Sequence, residues 1–169
     1  MRVLPDVLAP NLSVVYAAAA VGECAADRGH YYAGPNNAFW RLLHESGVTP
    51  QPLAPTQDAT LPRYGVGLAD VVKNRDELSK PGAGFAVDDF VARIERCSPR
   101  WVGFNGKMIG QVVARALGHR EPALGPVEWT LGDAEVFVLP SSSGANRRRD
   151  YDGRATRLEW WRELAGYLR

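Results

Sequence analysis

The sequence predicts an α/β fold of three layers, a central and mostly parallel sheet flanked by helices, and three observations carry that prediction. Short apolar runs of strand length alternate along the chain with segments whose apolar residues recur at helical spacing. The runs are apolar at consecutive positions, as in Val14-Val15-Tyr16-Ala17-Ala18 and Trp101-Val102-Gly103-Phe104, which suits strands covered on both faces. No internal repeat or low-complexity tract interrupts the 169 residues, so they are expected to form one domain, residues 1–169, with a single substantial core.

Taken in order, Val14 to Ala18 is the first strand, and the loop from Val21-Gly22 runs through Gly29, Gly34 and Pro35 to a helix opening at Asn36 or Asn37. Phe39, Trp40, Leu42 and Leu43 form the apolar face of that helix. Thr49 to Pro62 holds four prolines and few apolar anchors, which predicts an irregular connection. Tyr64 to Val72 reads as a second strand. Asp88 to Cys97 places Phe90, Val91 and Ile94 at helical spacing, with Asp88 as N-cap and Ser98-Pro99 as the stop.

Trp101 to Phe104 follows as a buried strand, and Gly106 to Leu117 as an amphipathic helix carrying Met108, Ile109, Val112, Val113 and Ala116. Val127 to Leu131 and Glu135 to Leu139 flank Gly132-Asp133 as a hairpin. The last helix aligns Leu158, Trp161, Leu164 and Leu168, and its neighbouring Trp160 and Trp161 read as packing residues.

Composition narrows the function classes. Hydrophobic content of 46% and charged content of 23% describe a globular chain, and no apolar run reaches membrane-spanning length. Met1-Arg2-Val3-Leu4-Pro5 lacks the apolar stretch of a secretory leader, and Cys24 and Cys97 have no partner at zinc or redox spacing. A reducing cytoplasm and a monomer needing neither metal nor organic cofactor are therefore expected. The net charge is only +1, so any contact with a polyanion must be local.

The densest positive run is Arg147-Arg148-Arg149, and it follows Pro140-Ser141-Ser142-Ser143-Gly144-Ala145-Asn146. Small residues there allow main-chain amides to approach phosphates or base edges, with the arginines supplying the field. A solvated turn whose arginines pair with Asp150 and Asp152 is the alternative. Ligands of parallel sheets sit beyond the carboxyl ends of the strands. The exits at Ala20-Val21-Gly22, Asp70, Asn105-Gly106-Lys107 and Ser141 to Arg149 are thus expected to converge on one crevice.

Those four loops, in that order, resemble the mismatch-specific uracil-DNA glycosylase and thymine-DNA glycosylase family, within the uracil-DNA glycosylase superfamily. The resemblance also covers the leader Val7-Leu8-Ala9-Pro10-Asn11 and the segment Gly29-His30-Tyr31-Tyr32-Ala33-Gly34-Pro35-Asn36-Asn37-Ala38-Phe39-Trp40, which is similar to the family's pyrimidine-pocket loop and following helix. It implies a uracil-DNA glycosylase-like fold and a repair enzyme that flips uracil, or a related damaged or mismatched pyrimidine, out of duplex DNA and hydrolyses its N-glycosidic bond. Gly22, Tyr32, Asn105 and Ser141 then line a base pocket together with Ala20. Lys107, Ser143, Gly144, Ala145, Asn146, Arg147, Arg148 and Arg149 face DNA, with Ala145 at the wedge position.

One departure stands against this. The family carries Gly-x-Asn-Pro-Gly after the first strand, with the Asn positioning water, where this chain reads Ala18-Ala19-Ala20-Val21-Gly22. Asp70, at a position where thymine-DNA glycosylases have an Asn, is the candidate for the missing group. Its carboxylate can orient water, stabilise the sugar cation or read the base. It can also cap a turn or pair with Lys73 or Lys107. A lesion-binding protein that lost the chemistry with the Asn is the competing function, and a serine hydrolase built on Ser141 to Ser143 lacks both the Gly-x-Ser-x-Gly elbow and a His partner. Of the three histidines only His30 falls in the pocket loop; His44 and His119 read as surface residues.

Overall fold

Four parallel strands and one antiparallel edge strand form the centre of the computed structural model, which describes residues 3–20, 23–73, 83–146, 148 and 150–169. The elements are β1 (Val14–Ala18), α1 (Glu23–Arg28), α2 (Phe39–Glu45), a 3-10 helix (Pro55–Tyr64), β2 (Val66–Asp70), α3 (Ala83–Cys97), β3 (Trp101–Asn105), α4 (Lys107–Ala116), β4 (Gly125–Leu131), β5 (Ala134–Leu139) and α5 (Arg157–Tyr167). Strand order is β2-β1-β3-β5-β4, and only β4 runs antiparallel.

Burial follows from this order. β1, β2 and β3 are almost wholly inaccessible along their length, as their consecutive apolar residues require, whereas β4 alternates as an edge strand with one wet face does. On one face Tyr16, Phe137 and Leu139 pack under α2 and α5; on the other Val15, Val102 and Val138 pack under α3 and α4. Three layers result. Trp161 stacks on Tyr16 with ring centroids 5.3 Å apart, and Trp160 is also buried, so both are packing residues as expected.

Several boundaries differ from the sequence reading for identifiable reasons. Helix α2 opens at Phe39 because Asn37 stays outside it and caps the Phe39 N–H through Oδ1 at 3.0 Å. The segment expected to be irregular winds into the 3-10 helix, whose start is held by Gln57 Oε1 accepting the Ala54 N–H at 2.8 Å. Helix α3 already runs from Ala83, so Asp88 is an exposed residue inside it and not its N-cap. The stop is as read: Ser98 turns into the left-handed region at φ 50°, ahead of Pro99. Glu23–Arg28 adds a short helix where only loop was foreseen.

Register sets the site. Ala18 pairs with Asp70 and Asn105 with Leu139, so the carboxyl ends of the parallel strands finish level. The leader lies along the outer edge of β2, where Val7 and Leu68 exchange both main-chain hydrogen bonds at 2.8 Å. Gly67 permits that approach, since a Cβ there would lie 2.8 Å from the Val7 carbonyl.

Candidate active site

Beyond those level strand ends lies a cavity of about 400 Å³, walled by Ala18, Ala19, Ala20, Tyr31, Tyr32, Asn37, Asp70, Asn105, Lys107, Met108 and Ser141 to Ser143 among others. Its size falls within the range of small-ligand sites. Ala20, Tyr32, Asp70, Asn105 and Ser141, all read from the sequence, line this one cavity. Gly22, Arg147 and Arg149 lie outside the described residues.

Asp70 is 1% exposed, at the last position of β2. Its Oδ2 accepts hydrogen bonds from the Tyr31 hydroxyl at 3.2 Å and from Lys73 Nζ at 3.4 Å; among the described residues none reaches Oδ1. The alternative pairing with Lys73 therefore exists, at the long limit of a hydrogen bond, while Lys107 pairs elsewhere. Burial pushes the Asp70 carboxyl up to about 6 against the pull of Lys73 and Tyr31, and the nearby Asp6 adds to the rise. The alanines at the end of β1 contribute to that desolvation, because Ala18 sits opposite Asp70 in the sheet and offers only a methyl group.

Tyr31 was not singled out by the sequence, yet it is buried at the cavity and its main chain is held twice. Its N–H donates to Asp58 Oδ2 at 3.1 Å and its carbonyl accepts from Trp40 Nε1 at 3.0 Å. Burial first, then the charges of Asp70 and Asp6, drive its phenol far up, so the hydroxyl keeps its proton and donates it to Asp70. Next to it Tyr32 adopts φ 54°, strained for a bulky residue, and its ring stacks on Phe39 with centroids 4.1 Å apart. Phe39 thus fixes the plane that Tyr32 brings to the cavity. His30 of the same loop is spent on Asp58 at 3.2 Å and does not line the cavity.

Asn105 and the buried Ser142 form a closed pair: Asn105 Nδ2 donates to Ser142 Oγ, and the Ser142 N–H donates to Asn105 Oδ1, both at 2.9 Å. This pair holds the loop after β5 against the end of β3. Arg157, at the start of α5, donates from Nη1 to the carbonyls of Ser141 and Ser143 at 3.0 Å each, and Gly144 packs so closely on Asn36 that a Cβ would lie 2.5 Å from the Asn36 carbonyl oxygen.

The loop corrects one expectation. Its amides were read as donors for DNA, but those of Ser142, Ser143, Ala145 and Asn146 are taken by Asn105 Oδ1, Ser141 Oγ, Ser143 Oγ and the Ser143 carbonyl. The side chain of Asn146 also turns inward, onto the Ser141 carbonyl at 2.8 Å. Small hydroxyl residues serve here as an internal scaffold, because Ser141 Oγ and Ser143 Oγ each accept the N–H two residues on, while Ser142 Oγ accepts from Asn105. Ala145 and Arg148 remain exposed. Lys107, at the rim, is paired with Asp152 at 2.9 Å. Met108, also at the rim, is the large apolar side chain of the cavity wall that stands half in solvent.

No group of three His, Cys, Asp or Glu among the described residues is arranged to hold a metal ion. The polar side chains of the cavity are a carboxylate, two phenols, two amides, an ammonium and three hydroxyls, an inventory suited to proton transfer and hydrogen bonding.

The family model of the uracil DNA glycosylase superfamily matches residues 5–165, which takes in every wall of this cavity. The chain belongs to that superfamily. Among solved structures it is similar to a candidate uracil DNA glycosylase from Methanosarcina acetivorans, determined by solution NMR, at 30% sequence identity and a TM-score of 0.61, covering 97% of this chain and 98% of that one. Members of the superfamily act on DNA, which supports a DNA glycosylase role for this chain with DNA as its partner.

Proposed function

We propose that this superfamily member removes uracil from DNA by hydrolysis, working as a single monomeric domain in a reducing compartment on duplexes that hold a uracil or a mismatched pyrimidine. The observation that carries the reading is Asp70: a carboxylate 1% exposed, in the cavity wall at a strand end, with no described hydrogen bond on Oδ1.

The target nucleotide is flipped into the cavity, most readily where it is mispaired, and its base lies against Tyr32. Asn105 and the Ser141 to Ser143 hydroxyls stand within the same wall to meet the polar edge of the base. Water held on Asp70 bonds through its oxygen to the sugar C1′ as the bond from C1′ to N1 breaks. The electron pair of that bond leaves with the base as an anion, which hydrogen-bond donors stabilise, and the water proton passes to the carboxylate. Near neutral pH a carboxyl poised at about 6 is ionised yet still basic enough to accept it. The exposed Arg148 and, with Asp152 displaced, Lys107 contact phosphates around the site.

Asp70→Ala tests this reading. Uracil release from a G·U duplex, followed as alkali-cleavable abasic sites, should slow by at least about 100-fold while duplex binding is retained. Unchanged turnover would remove Asp70 from the mechanism. If the native protein itself binds the lesion and releases no uracil, the methyl wall of Ala18 to Ala20 marks a lesion-binding protein instead.

A further inference from the structure

Behind Asp70, away from the cavity, three charged side chains from three separate elements meet. Asp6 comes from just ahead of the leader, Lys73 from the turn after β2 and Arg93 from the middle of α3. Asp6 Oδ1 accepts from Lys73 Nζ at 2.6 Å and from the Asp70 main-chain N–H at 3.3 Å, while Asp6 Oδ2 accepts from Arg93 Nη1. Arg93 Nη2 in turn donates to the Asp70 carbonyl at 2.9 Å, and Arg93 Nε to Asp89 at 3.0 Å. Residue 70 is therefore gripped at both its N–H and its carbonyl by the same ion cluster.

The distances around Lys73 are unequal in an informative way. Its ammonium lies 2.6 Å from Asp6, 3.1 Å from the Leu4 carbonyl and 3.4 Å from Asp70. Asp6 holds the cation; Asp70 receives only its fringe. Were Lys73 to close on Asp70 as a full ion pair, the carboxylate would become a weak base and a poor partner for water or for a sugar cation.

We propose that Asp6 is a positioning residue for the excision reaction: by drawing Lys73 toward itself and fixing Arg93 on the Asp70 main chain, it leaves the Asp70 carboxylate loosely neutralised and able to act in the cavity. The inference rests on the proposed role of Asp70 and adds the device that keeps it reactive. Among the described residues, the charged and titratable groups facing Asp70 are Tyr31 from the pocket loop, Lys73 from its own turn, Asp6 from just ahead of the leader and Arg93 from α3 through the main chain, and the charge of Asp70 is also felt by Tyr32.

The pH dependence of single-turnover uracil excision by the full chain separates this role from a purely structural one. In Asp6→Asn, Lys73 is released toward Asp70 and a like charge is removed, so the acid limb of the profile should move down by about one pH unit and excision at neutral pH should slow several-fold. Lys73→Met should move the acid limb the other way. Opposite displacements support the proposal; an acid limb that stays in place in folded Asp6→Asn overturns it. If Asp6→Asn does not fold, Lys73→Met decides alone, and an unmoved limb there has the same force. Asp70→Asn run alongside distinguishes the two readings. If it excises like the native protein, the role of Asp70 falls; if it is inactive while the Asp6→Asn limb is unmoved, only the role of Asp6 falls.

Discussion

The two walls of the cavity are held by different physics. On the β2 side, Asp70 stands in a cluster of ions, with Asp6, Lys73 and Arg93 bound to its side chain or main chain. On the β3 and β5 side, Asn105, Ser142 and Arg157 fix the loop by hydrogen bonds to hydroxyls and to main-chain groups, with no carboxylate taking part. The first wall can change charge near neutral pH and is costly to bury; the second has a fixed shape over the whole range. A titratable side and a side held by hydrogen bonds without a carboxylate thus face one crevice.

Replacing the charge on the first wall should produce the largest effect on the fold. The Asp70 carboxyl is held at about 6 in the folded chain, above its ordinary value of 3.8, so its contribution to stability is full below about pH 4 and is lost as pH rises through 6. Asp70→Asn removes that loss, while Lys73 keeps Asp6. The variant should exceed the native protein in stability by on the order of 2–3 kcal/mol at pH 7.5, with the gap shrinking toward pH 4. Thermal unfolding across that range checks it, and a gap that is constant with pH would show that the wall does not titrate as argued.

An effect of opposite sign, no larger in size, is expected on the second wall. Asn105→Ala strands the Ser142 N–H inside the protein and should destabilise it by about 1–3 kcal/mol. Excision should fall with it, yet the midpoint of the acid limb should stay where it is, since Asn105 carries no charge. Displacement of that midpoint in the pH profile would break the division between the walls. The smallest change belongs to the rim: Arg148→Ala should weaken duplex binding and lower the slope of log affinity against log salt by about one unit, read from binding isotherms at several salt concentrations.

Much of the fold was legible in the sequence because its signals are local. Consecutive apolar residues from Val14 to Ala18 and from Trp101 to Phe104 could form only covered strands, and Gly132-Asp133 between two apolar runs could form only a tight turn, which the pairing of Leu131 with Ala134 closes. Boundaries were less legible where a side chain decided them, as Asn37 does for α2. Loop motifs pointed to Ala20, Tyr32, Asp70, Asn105 and Ser141 as one site, and they line one cavity. Tyr31 could have been suspected from its place beside Tyr32 in the pocket loop.

The amino-acid order by itself determined the strands, the helices that cover them and the superfamily, since periodicity and motif order are properties of neighbouring residues. Tertiary structure alone decided what those residues do to one another. Asp6 and Asp70 are 64 positions apart and Asp6 and Arg93 87, so nothing in either neighbourhood announces the cluster. The loop from Ser141 to Asn146 has the composition of a DNA-facing turn, and only the folded structure shows its amides engaged, by Asn105 and by the loop's own hydroxyls and carbonyl. Electrostatic environment depends on distance through space and on exclusion of water, and neither exists until the chain has folded.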